Sequence, residues 1–272
     1  MRMRSLLFAG AGRPDLVAKL DRAEADVAIV DLEDAVPAAN KEEARAALPA
    51  LVASIERTPI LVRVNAATTE WFDADLDAVA ALGEAVTGAV VSKVEAPGDL
   101  EVAAGRLGEG AVVVAGIESA RGVGQVEALL EAGATACYFG AEDYVADLGG
   151  RRSADGAEVL YARSRVVLAA RLAGVAALDQ VVTDFRDDAA FARDAAAGRD
   201  LGYRGKLCIH PAQVPIANRV FSASEEELAR ARGILAAWEE GTSRGIAAVE
   251  FEGEMIDGPA IRMARDTIER AS

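Results

Sequence analysis

The chain has 272 residues and a formal net charge of −15 at pH 7, so a nucleic-acid backbone would repel it and we expect no nucleic-acid partner. Hydrophobic residues make up 52% of the chain and aromatic residues only 5%, which predicts a core of Val, Ala, Leu and Ile. No apolar run approaches the roughly 20 residues of a membrane helix, and the apolar part of the basic N-terminus is too short for a signal peptide. We therefore expect a cytosolic protein with no membrane partner.

Short apolar runs alternate with segments of helical periodicity along most of the chain. The strands are predicted at residues 5–11, 28–32, 60–64, 88–94, 112–117, 135–140, 177–182 and 206–209. The helices are predicted from residue 14 and at residues 41–55, 72–82, 100–107, 126–130, 159–173 and 188–201, with a short helical insert after residue 140. Eight strand–helix alternations predict an α/β fold, a (β/α)₈ TIM barrel, with its active site at the C-terminal ends of the strands.

We predict that the barrel, as the catalytic domain, occupies residues 1–221 and that residues 222–272 form a helical and hairpin extension. The extension has a predicted helix at 225–240, a flexible stretch at 241–245, hairpin character at 247–258 and a last helix at 259–271. About 50 residues are too few to form a core of their own. We therefore expect the extension to pack on the barrel or on a neighbouring subunit, as a lid or oligomerisation segment.

Acidic residues follow the fifth and sixth predicted strands. Glu118 ends the run VVVAGIE, and Asp143 ends the run YFGAED. In one barrel both side chains would emerge at the same rim, close enough to hold one cation. Two carboxylates without His or Cys beside them suit a hard cation such as Mg²⁺, which keeps positions open for water and substrate. Acids at strand ends are also common helix N-caps, but the pair together favours a metal site.

Three more charged residues are predicted at this rim. Glu33 and Asp34 follow the second strand, and Arg63 interrupts the apolar third strand in ILVRVN. A charged side chain flanked by valines needs a partner or a ligand anion. A salt bridge to Glu33 or Asp34 and a contact with substrate are equally compatible with this pattern, and both can hold.

The first strand-to-helix loop carries two cations. Arg13 and Lys19 follow Gly10 and Gly12, and backbone N–H groups at the start of that helix could join them in binding a phosphate. The same two side chains could equally be solvated surface charges.

The cysteines and the histidine of the chain do not form a pattern that indicates nucleophilic catalysis. Cys137 and Cys208 lie in apolar strand patterns, which indicates buried thiols rather than a disulfide or a ligand pair. His210 is the single histidine, and a structural role in a turn is favoured over a general base. With no Ser–His or Cys–His constellation, nucleophilic acyl transfer is disfavoured.

At these motifs the chain resembles the citrate lyase β-subunit (CitE-like) family of the HpcH/HpaI aldolase superfamily, nearly end to end. The segments that carry the resemblance are RSLLF, RPDLVAKL, DVAIVDLEDAV, LVRVN, GIESARGV, YFGAEDYVADLGG, GYRGKLCIHPAQV and EGEMIDGP. The combination of DLEDAV, GAED and IHPAQ is specific, whereas each motif alone would be weak. The chain departs from the family pattern at Gly10 and Ser92, where relatives commonly have proline.

The resemblance implies a Mg²⁺-dependent carbon–carbon lyase of 3-hydroxyacyl thioesters such as malyl-CoA, citramalyl-CoA or citryl-CoA. Acetyl-CoA and a 2-oxo acid would be released by retro-Claisen or retro-aldol cleavage. By position, the resemblance implies that Glu118 and Asp143 bind the metal and that Arg63 contacts the 2-oxo acid and its developing oxyanion. It implies further that Glu33 and Asp34 orient metal-bound water.

The resemblance also implies a shared active site. Asp257, in EGEMIDGP, matches an acid that related malyl-CoA lyases supply from the C-terminal segment of a neighbouring subunit, in a homotrimer or a hexamer. Three alternatives remain open: a malyl-CoA thioesterase, the β subunit of a citrate lyase complex acting on citryl-acyl carrier protein, and an aldolase of free hydroxy acids.

Overall fold

A computed structural model describes residues 1–245 and 248–271 of the chain. The chain divides into two compact units, Met1–Asn218 and Arg219–Ser272, where we predicted a boundary after residue 221. The predicted hairpin begins at Ala247 and the predicted extension ends at Ser272, and both of these residues lie outside the described ones.

Eight parallel strands of the first unit close into a barrel, each pairing with the next and the last with the first. The strands are β1 (Ser5–Gly10), β2 (Val27–Asp31), β3 (Ile60–Val64), β4 (Gly88–Val91), β5 (Val112–Ile117), β6 (Ala136–Phe139), β7 (Ala176–Asp179) and β8 (Gly205–Cys208). This closed barrel confirms the predicted α/β barrel fold.

Aliphatic side chains fill the inside of the barrel. The buried cluster there consists of Leu6, Val27, Ile29, Leu61, Val90, Val114, Ala136, Tyr138, Leu178 and Leu207. The strands are short and buried on both faces, so their sequences are continuous apolar runs rather than alternating patterns. The expected core of Val, Ala, Leu and Ile is confirmed.

Helices follow the strands around the barrel. They are α1 (Pro14–Val17), α2 (Lys41–Ala53), α3 (Phe72–Ala81), α4 (Pro97–Leu107), α5 (Ala120–Gly124), α6 (Val126–Glu131), α7 (Ala141–Asp147), α8 (Ala157–Ala173), α9 (Asp188–Leu201) and α10 (Gln213–Val220). We predicted no helix at α10, whose Pro215 lies in the first turn, where no intrahelical N–H is needed. In the part of the chain that the structure describes, no helix combines the length and the apolar character needed to cross a membrane.

The C-terminal unit contains a long helix, α11 (Glu225–Ser243), the antiparallel pair β9 (Val249–Phe251) and β10 (Glu254–Ile256), and a last helix, α12 (Gly258–Ala271). The hairpin is confirmed in its described residues, and Gly253 in its turn has a left-handed φ of 83°. We predicted that this helix ends at residue 240, but α11 continues to Ser243. The hydroxyl groups of Thr242 and Ser243 bond to preceding helix carbonyls, so both polar side chains are satisfied within the helix.

The C-terminal unit also has a small apolar cluster of its own, which corrects our expectation that it has none. Its members are Ala231, Ile234, Ile256, Ile261 and Ala264. They come from α11, β10 and α12, so these three elements pack against one another.

A buried ionic network ties β7 and β8 to the helices outside them. Asp179 accepts hydrogen bonds from Arg163 Nε and Nη2 at 2.8 and 2.6 Å, and from Lys206 Nζ at 2.7 Å. Lys206 also donates to Asp194 at 2.5 Å. Asp179 and Lys206 are fully buried, so each charge depends on the others for compensation.

We expect Asp179→Ala to lower the free energy of unfolding by about 3–5 kcal/mol, because it leaves two buried cations short of an acid. Urea unfolding followed by circular dichroism measures this loss. Asp200→Ala removes an exposed carboxylate of α9 and is the matched control, with an expected change within about 0.5 kcal/mol. Equal unfolding midpoints for the two variants would contradict a stabilising role for the network.

Candidate active site

A cavity of about 540 Å³ opens at the C-terminal ends of the barrel strands, which is large enough for a small-molecule ligand. Its wall is partly apolar and partly charged. The lining residues include Phe8, Leu16, Val181 and Ile209 together with Arg13, Asp31, Asp34, Arg63, Glu118, Glu142 and Asp143. Of the predicted site residues, Arg13, Asp34, Arg63, Glu118 and Asp143 therefore share one cavity.

The strand order places the two proposed metal ligands side by side. Glu118 directly follows β5, and Asp143 lies in the first turn of α7, which begins right after β6 and Gly140. A Cβ atom at Gly140 would lie 2.5 Å from both Cγ and Oε1 of Glu118, so only glycine leaves room for this carboxylate. Glu118 itself is 3% exposed.

Arg63 is held by acids on the neighbouring strand. In the β2–β3 register it lies opposite Asp31, and its Nε and Nη2 each donate to Asp31 at 2.7 Å. Its Nη1 lies 3.0 Å from Glu33 Oε2, and its Nη2 lies 4.0 Å from Asp34 Oδ2. Burial lowers the pKa of Arg63, but the hydrogen bonds and charge of Asp31 raise it well above its usual value. The guanidinium is thus a fixed cation.

We predicted Glu33 or Asp34 as the partner of Arg63, and the structure shows Glu33 in contact but Asp31 as the two-pronged partner. Asp31 was missed because it ends an apolar strand and was treated as part of it. A signal was present, since Asp31 interrupts the run VAIVDL just as Arg63 interrupts ILVRVN.

Lys93 is a second cation of the site, and we did not assign it a role. We predicted β4 to continue to residue 94, but it ends at Val91 and Lys93 has a left-handed φ of 49°. Its Nζ contacts Glu33 Oε1 and lies 3.3 Å from Asp34 Oδ1 and 3.5 Å from Asp143 Oδ1. Burial lowers the pKa of Lys93, but the hydrogen bond and charge of Glu33 raise it above its usual value.

Burial and nearby negative charge make two carboxyls of the site hard to ionise. Burial and then the charge of Glu33 raise the pKa of Glu118 to about 7, with a smaller contribution from Asp143. Burial also raises the pKa of Glu33, although Arg63 and Lys93 oppose this. A cation placed beside Glu118 would stabilise its ionised form.

The donor set fits a hard cation. The described residues, 1–245 and 248–271, contain no group of three His, Cys, Asp or Glu that could hold a metal ion. A metal site here would therefore have the two carboxylates Glu118 and Asp143 as its protein ligands. The backbone N–H of Lys93 donates to Glu118 Oε2 at 2.8 Å, and the Nζ of Lys93 lies 3.5 Å from Asp143 Oδ1. Both carboxylates therefore contact the same residue. Oxygen donors with positions left for water match Mg²⁺.

A buried lysine fixes the loop that carries the acids. Lys41 Nζ donates to the carbonyl oxygens of Leu32 and Glu33, both at 2.7 Å, and to Asn65 Oδ1 at 2.6 Å. Asn65 Nδ2 in turn donates to Asp75 at 2.6 Å. Burial lowers the pKa of Lys41. We predicted Lys41 as the start of a helix and missed this positioning role.

The remaining cationic candidates differ in their setting. Arg13 lines the cavity, although its guanidinium is paired with Asp15 at 2.9 Å. Lys19 is exposed after α1, a helix of one turn. His210 holds its turn through Nδ1, which accepts from the Ala212 N–H at 3.2 Å, as the structural interpretation predicted.

Asp257 and the two cysteines complete the predicted set. Asp257 belongs to the C-terminal unit, where it precedes α12 and its Oδ1 accepts from the Ala260 N–H at 3.4 Å. Cys137 and Cys208 are free and buried, which confirms the sequence-based interpretation, and burial raises the pKa of each thiol to about 12.

The raised pKa of Glu118 makes the metal-free protein sensitive to pH. The folded-state pKa is about 7 against an ordinary 4.5, so the protonated carboxyl stabilises the fold below about 4.5 and this contribution is lost as the pH rises through about 7. The loss should reach about 3 kcal/mol. Urea unfolding in EDTA should therefore show that the free energy of unfolding of Glu118→Gln rises relative to that of the wild type as the pH increases from about 4.5 to above 7. Glu131→Gln, at an exposed position, should run parallel to the wild type, and parallel curves for Glu118→Gln would contradict the shift.

The closed barrel, with two cations among five carboxylates at its C-terminal rim, defines a TIM-barrel enzyme. The chain belongs to the HpcH/HpaI aldolase/citrate lyase family, whose model matches residues 4–211. A citrate lyase subunit beta-like protein of Deinococcus radiodurans is 45% identical over 97% of this chain and 95% of its own length. The mitochondrial citramalyl-CoA lyase of Homo sapiens is 29% identical over 99% of this chain and 85% of its own length.

A solved structure agrees with this family. The structure of CitE from Mycobacterium tuberculosis in complex with magnesium, acetoacetate and coenzyme A matches this chain with a TM-score of 0.82 and 36% identity. The match covers 98% of this chain and 97% of that chain. The resemblance described from the sequence motifs is therefore confirmed.

Proposed function

We propose that this protein is a Mg²⁺-dependent carbon–carbon lyase that cleaves a 3-hydroxyacyl-CoA thioester into acetyl-CoA and a 2-oxo acid. One observation carries the proposal: the paired carboxylates Glu118 and Asp143 share a cavity with the fixed guanidinium of Arg63. The similarity to a CitE bound to magnesium, acetoacetate and coenzyme A, and to a citramalyl-CoA lyase, supports it.

In the proposed mechanism Glu118 and Asp143 hold the ion. When bound, Mg²⁺ supplies Lewis acidity that lowers the pKa of the substrate hydroxyl. Arg63 has five N–H groups, of which two bond Asp31. Its Nη1 lies 3.0 Å from Glu33 Oε2 without a hydrogen bond to it, so among the described residues Nη1 keeps donors for the 2-oxo acid and its developing oxyanion.

The other charged residues have supporting roles in this proposal. Glu33 and Asp34 lie on both sides of Lys93 and orient water at the site. Arg13, which lines the cavity, and Lys19 bind phosphate groups of the CoA handle. Arg13 is salt-bridged to Asp15, so binding a phosphate would require it to exchange this partner.

A substrate panel tests the proposal. Malyl-CoA, citramalyl-CoA and citryl-CoA are incubated with the protein and Mg²⁺, and release of the 2-oxo acid is followed. We expect release of the 2-oxo acid from at least one thioester. EDTA should abolish this release, and added Mg²⁺ should restore it. Equal rates with and without EDTA would contradict the metal-dependent mechanism.

A second candidate function is the β subunit of a citrate lyase complex acting on citryl-acyl carrier protein. The citrate lyase subunit beta of Escherichia coli K12 is 33% identical over 98% of this chain and 93% of its own length. Cleavage of citryl-acyl carrier protein with no cleavage of the three CoA thioesters would favour this function over the first.

We further propose that Asp257 is a general acid–base that exchanges a proton with the enolate carbon and acts on a neighbouring subunit's site in a homotrimer or hexamer. Asp257→Ala and Glu118→Ala should each be inactive. Mixed oligomers of equal amounts of the two should regain activity in roughly one quarter of their sites, since each site draws its two residues from different chains. Verified mixed oligomers without activity, or a monomer by sedimentation, would contradict the shared site.

A further inference from the structure

The chain uses lysine sparingly. It has 25 arginines but four lysines, Lys19, Lys41, Lys93 and Lys206. Lys41 and Lys206 are buried and each makes several polar contacts through one ammonium group. At these two positions lysine places a compact point charge among several acceptors, a role for which the planar guanidinium of arginine is poorly suited.

Lys93 is the lysine of the candidate active site, and its ammonium group lies among three acids, two from the loop after β2 and one from α7. Glu33 Oε1 is in direct contact, Asp34 Oδ1 lies at 3.3 Å and Asp143 Oδ1 at 3.5 Å. The contact with the buried Glu33 is the closest, whereas Asp34 and Asp143 are more distant and their side chains are 57% and 40% exposed. Asp34 and Asp143 are therefore partners that Lys93 can release more readily than Glu33.

The two cations of the site differ in freedom of movement. Arg63 is locked by its two parallel bonds to Asp31, and its side chain is 12% exposed. The side chain of Lys93 is 32% exposed and ends in a point charge on a flexible stem. Its backbone N–H is bonded to Glu118, so the ammonium group can move while the main chain stays in place.

Lys93 reduces the net negative charge of the candidate active site. Five carboxylates of the site, Asp31, Glu33, Asp34, Glu118 and Asp143, face two cations, so the formal charge is −3 when all are ionised. Without Lys93 it would be −4. Unit charges a few ångströms apart interact strongly in such a partly buried place, so this extra cation bears directly on the binding of any other cation.

We propose that Lys93 is the resident counter-cation of this carboxylate cluster and that it lowers the affinity of the site for a divalent cation by competing for Asp143 and Asp34. The inference rests on the proposed metal site at Glu118 and Asp143. Lys93 stays on Glu33 when the ion binds, and gives up its more distant contacts. It thereby keeps the acids together in the metal-free protein and keeps the ion exchangeable.

Mn²⁺ binding to the purified full-length chain tests this inference, with electron paramagnetic resonance counting the free ion. The measurement is made above the Glu118 pKa of about 7, so that this carboxyl is ionised. Lys93→Met keeps an unbranched side chain close to the length of the lysine stem and removes its charge. We expect Mn²⁺ to bind Lys93→Met about 10-fold more tightly than the wild type, because a nearby positive charge is gone. Lys93→Gln should also bind Mn²⁺ more tightly than the wild type. Agreement between the two variants shows that the change does not come from a packing defect of one of them.

Arg171→Met is the matched control, since it makes the same change in net charge at an exposed position in the last turn of α8. Its Mn²⁺ affinity should stay within about 2-fold of the wild type, because exposed charges are largely screened. Equal or weaker Mn²⁺ binding by both Lys93 variants would overturn the inference, and weaker binding would mean that Lys93 positions Asp143 as a ligand instead.

The carboxylate variants separate this inference from the proposed function. Glu118→Gln and Asp143→Asn should lose Mn²⁺ binding. If they retain it, the proposed metal site is wrong and the inference falls with it. If they lose it while the Lys93 variants bind Mn²⁺ no more tightly than the wild type, the metal site stands and only the counter-cation role of Lys93 is wrong.

Discussion

Glu118→Gln and Asp143→Asn should each reduce Mg²⁺-dependent thioester cleavage by about 10³-fold or more while the barrel stays folded. Glu118 directly follows β5 and Asp143 lies in the first turn of α7, both at the cavity rather than in the aliphatic core, so their isosteric amides leave the packing intact. Each change removes one of the two anionic ligands proposed for the ion. For Glu118 it also removes the carboxyl whose pKa burial raises to about 7 and whose ionised form a bound cation would stabilise.

Glu142→Gln is the matched control for these two variants. Glu142 lies between them in sequence, lines the same cavity and is paired with Arg152 at 2.9 Å. Removing the charge of Glu142 should change kcat by less than about 3-fold. Circular dichroism and the unfolding midpoint of each variant confirm that the fold is retained. Near-wild-type turnover in either Glu118→Gln or Asp143→Asn would contradict the two-carboxylate site.

Arg63→Lys should lower kcat by about 10²–10³-fold although the charge is kept. Lysine cannot form the two parallel bonds to Asp31, so the cation would no longer be fixed, and it offers fewer donors to the 2-oxo acid. The rate constant for turnover should fall more than the substrate affinity, since the lost contact strengthens as the oxyanion develops.

Arg106→Lys is the control for this variant, because Arg106 bonds Asp73 on the outside of the barrel. It should leave kcat within about 2-fold of the wild type. If Arg63→Lys also supports normal turnover, Arg63 serves as a salt-bridge partner of Asp31 and Glu33 and its oxyanion role is wrong.

The order of the elements was predictable because each buried parallel strand is an unbroken apolar run that ends at a polar residue. Glu118, Asp143 and Arg63 were found in this way, each as a charge at or inside such a run. The structure brings all three to one cavity, as expected, while their roles in binding and catalysis remain predictions.

The missed residues are those whose role depends on partners far away in the chain. Asp31 meets Arg63 only through the register of β2 and β3. Lys93 reaches Glu33, 60 positions away, because the chain turns into a left-handed conformation after β4. Lys41 holds the loop of Glu33 from the start of α2. Neither periodicity nor composition records such contacts.

The fate of the thioester during turnover distinguishes carbon–carbon cleavage from hydrolysis most directly. The most reactive thioester of the panel is incubated with the protein and Mg²⁺ in oxygen-labelled water, and all products are identified by mass spectrometry. For a carbon–carbon lyase we expect acetyl-CoA with its thioester intact and a 2-oxo acid in equal amounts. Free CoA together with a hydroxy acid that carries the label in its new carboxylate would show hydrolysis and would contradict carbon–carbon cleavage.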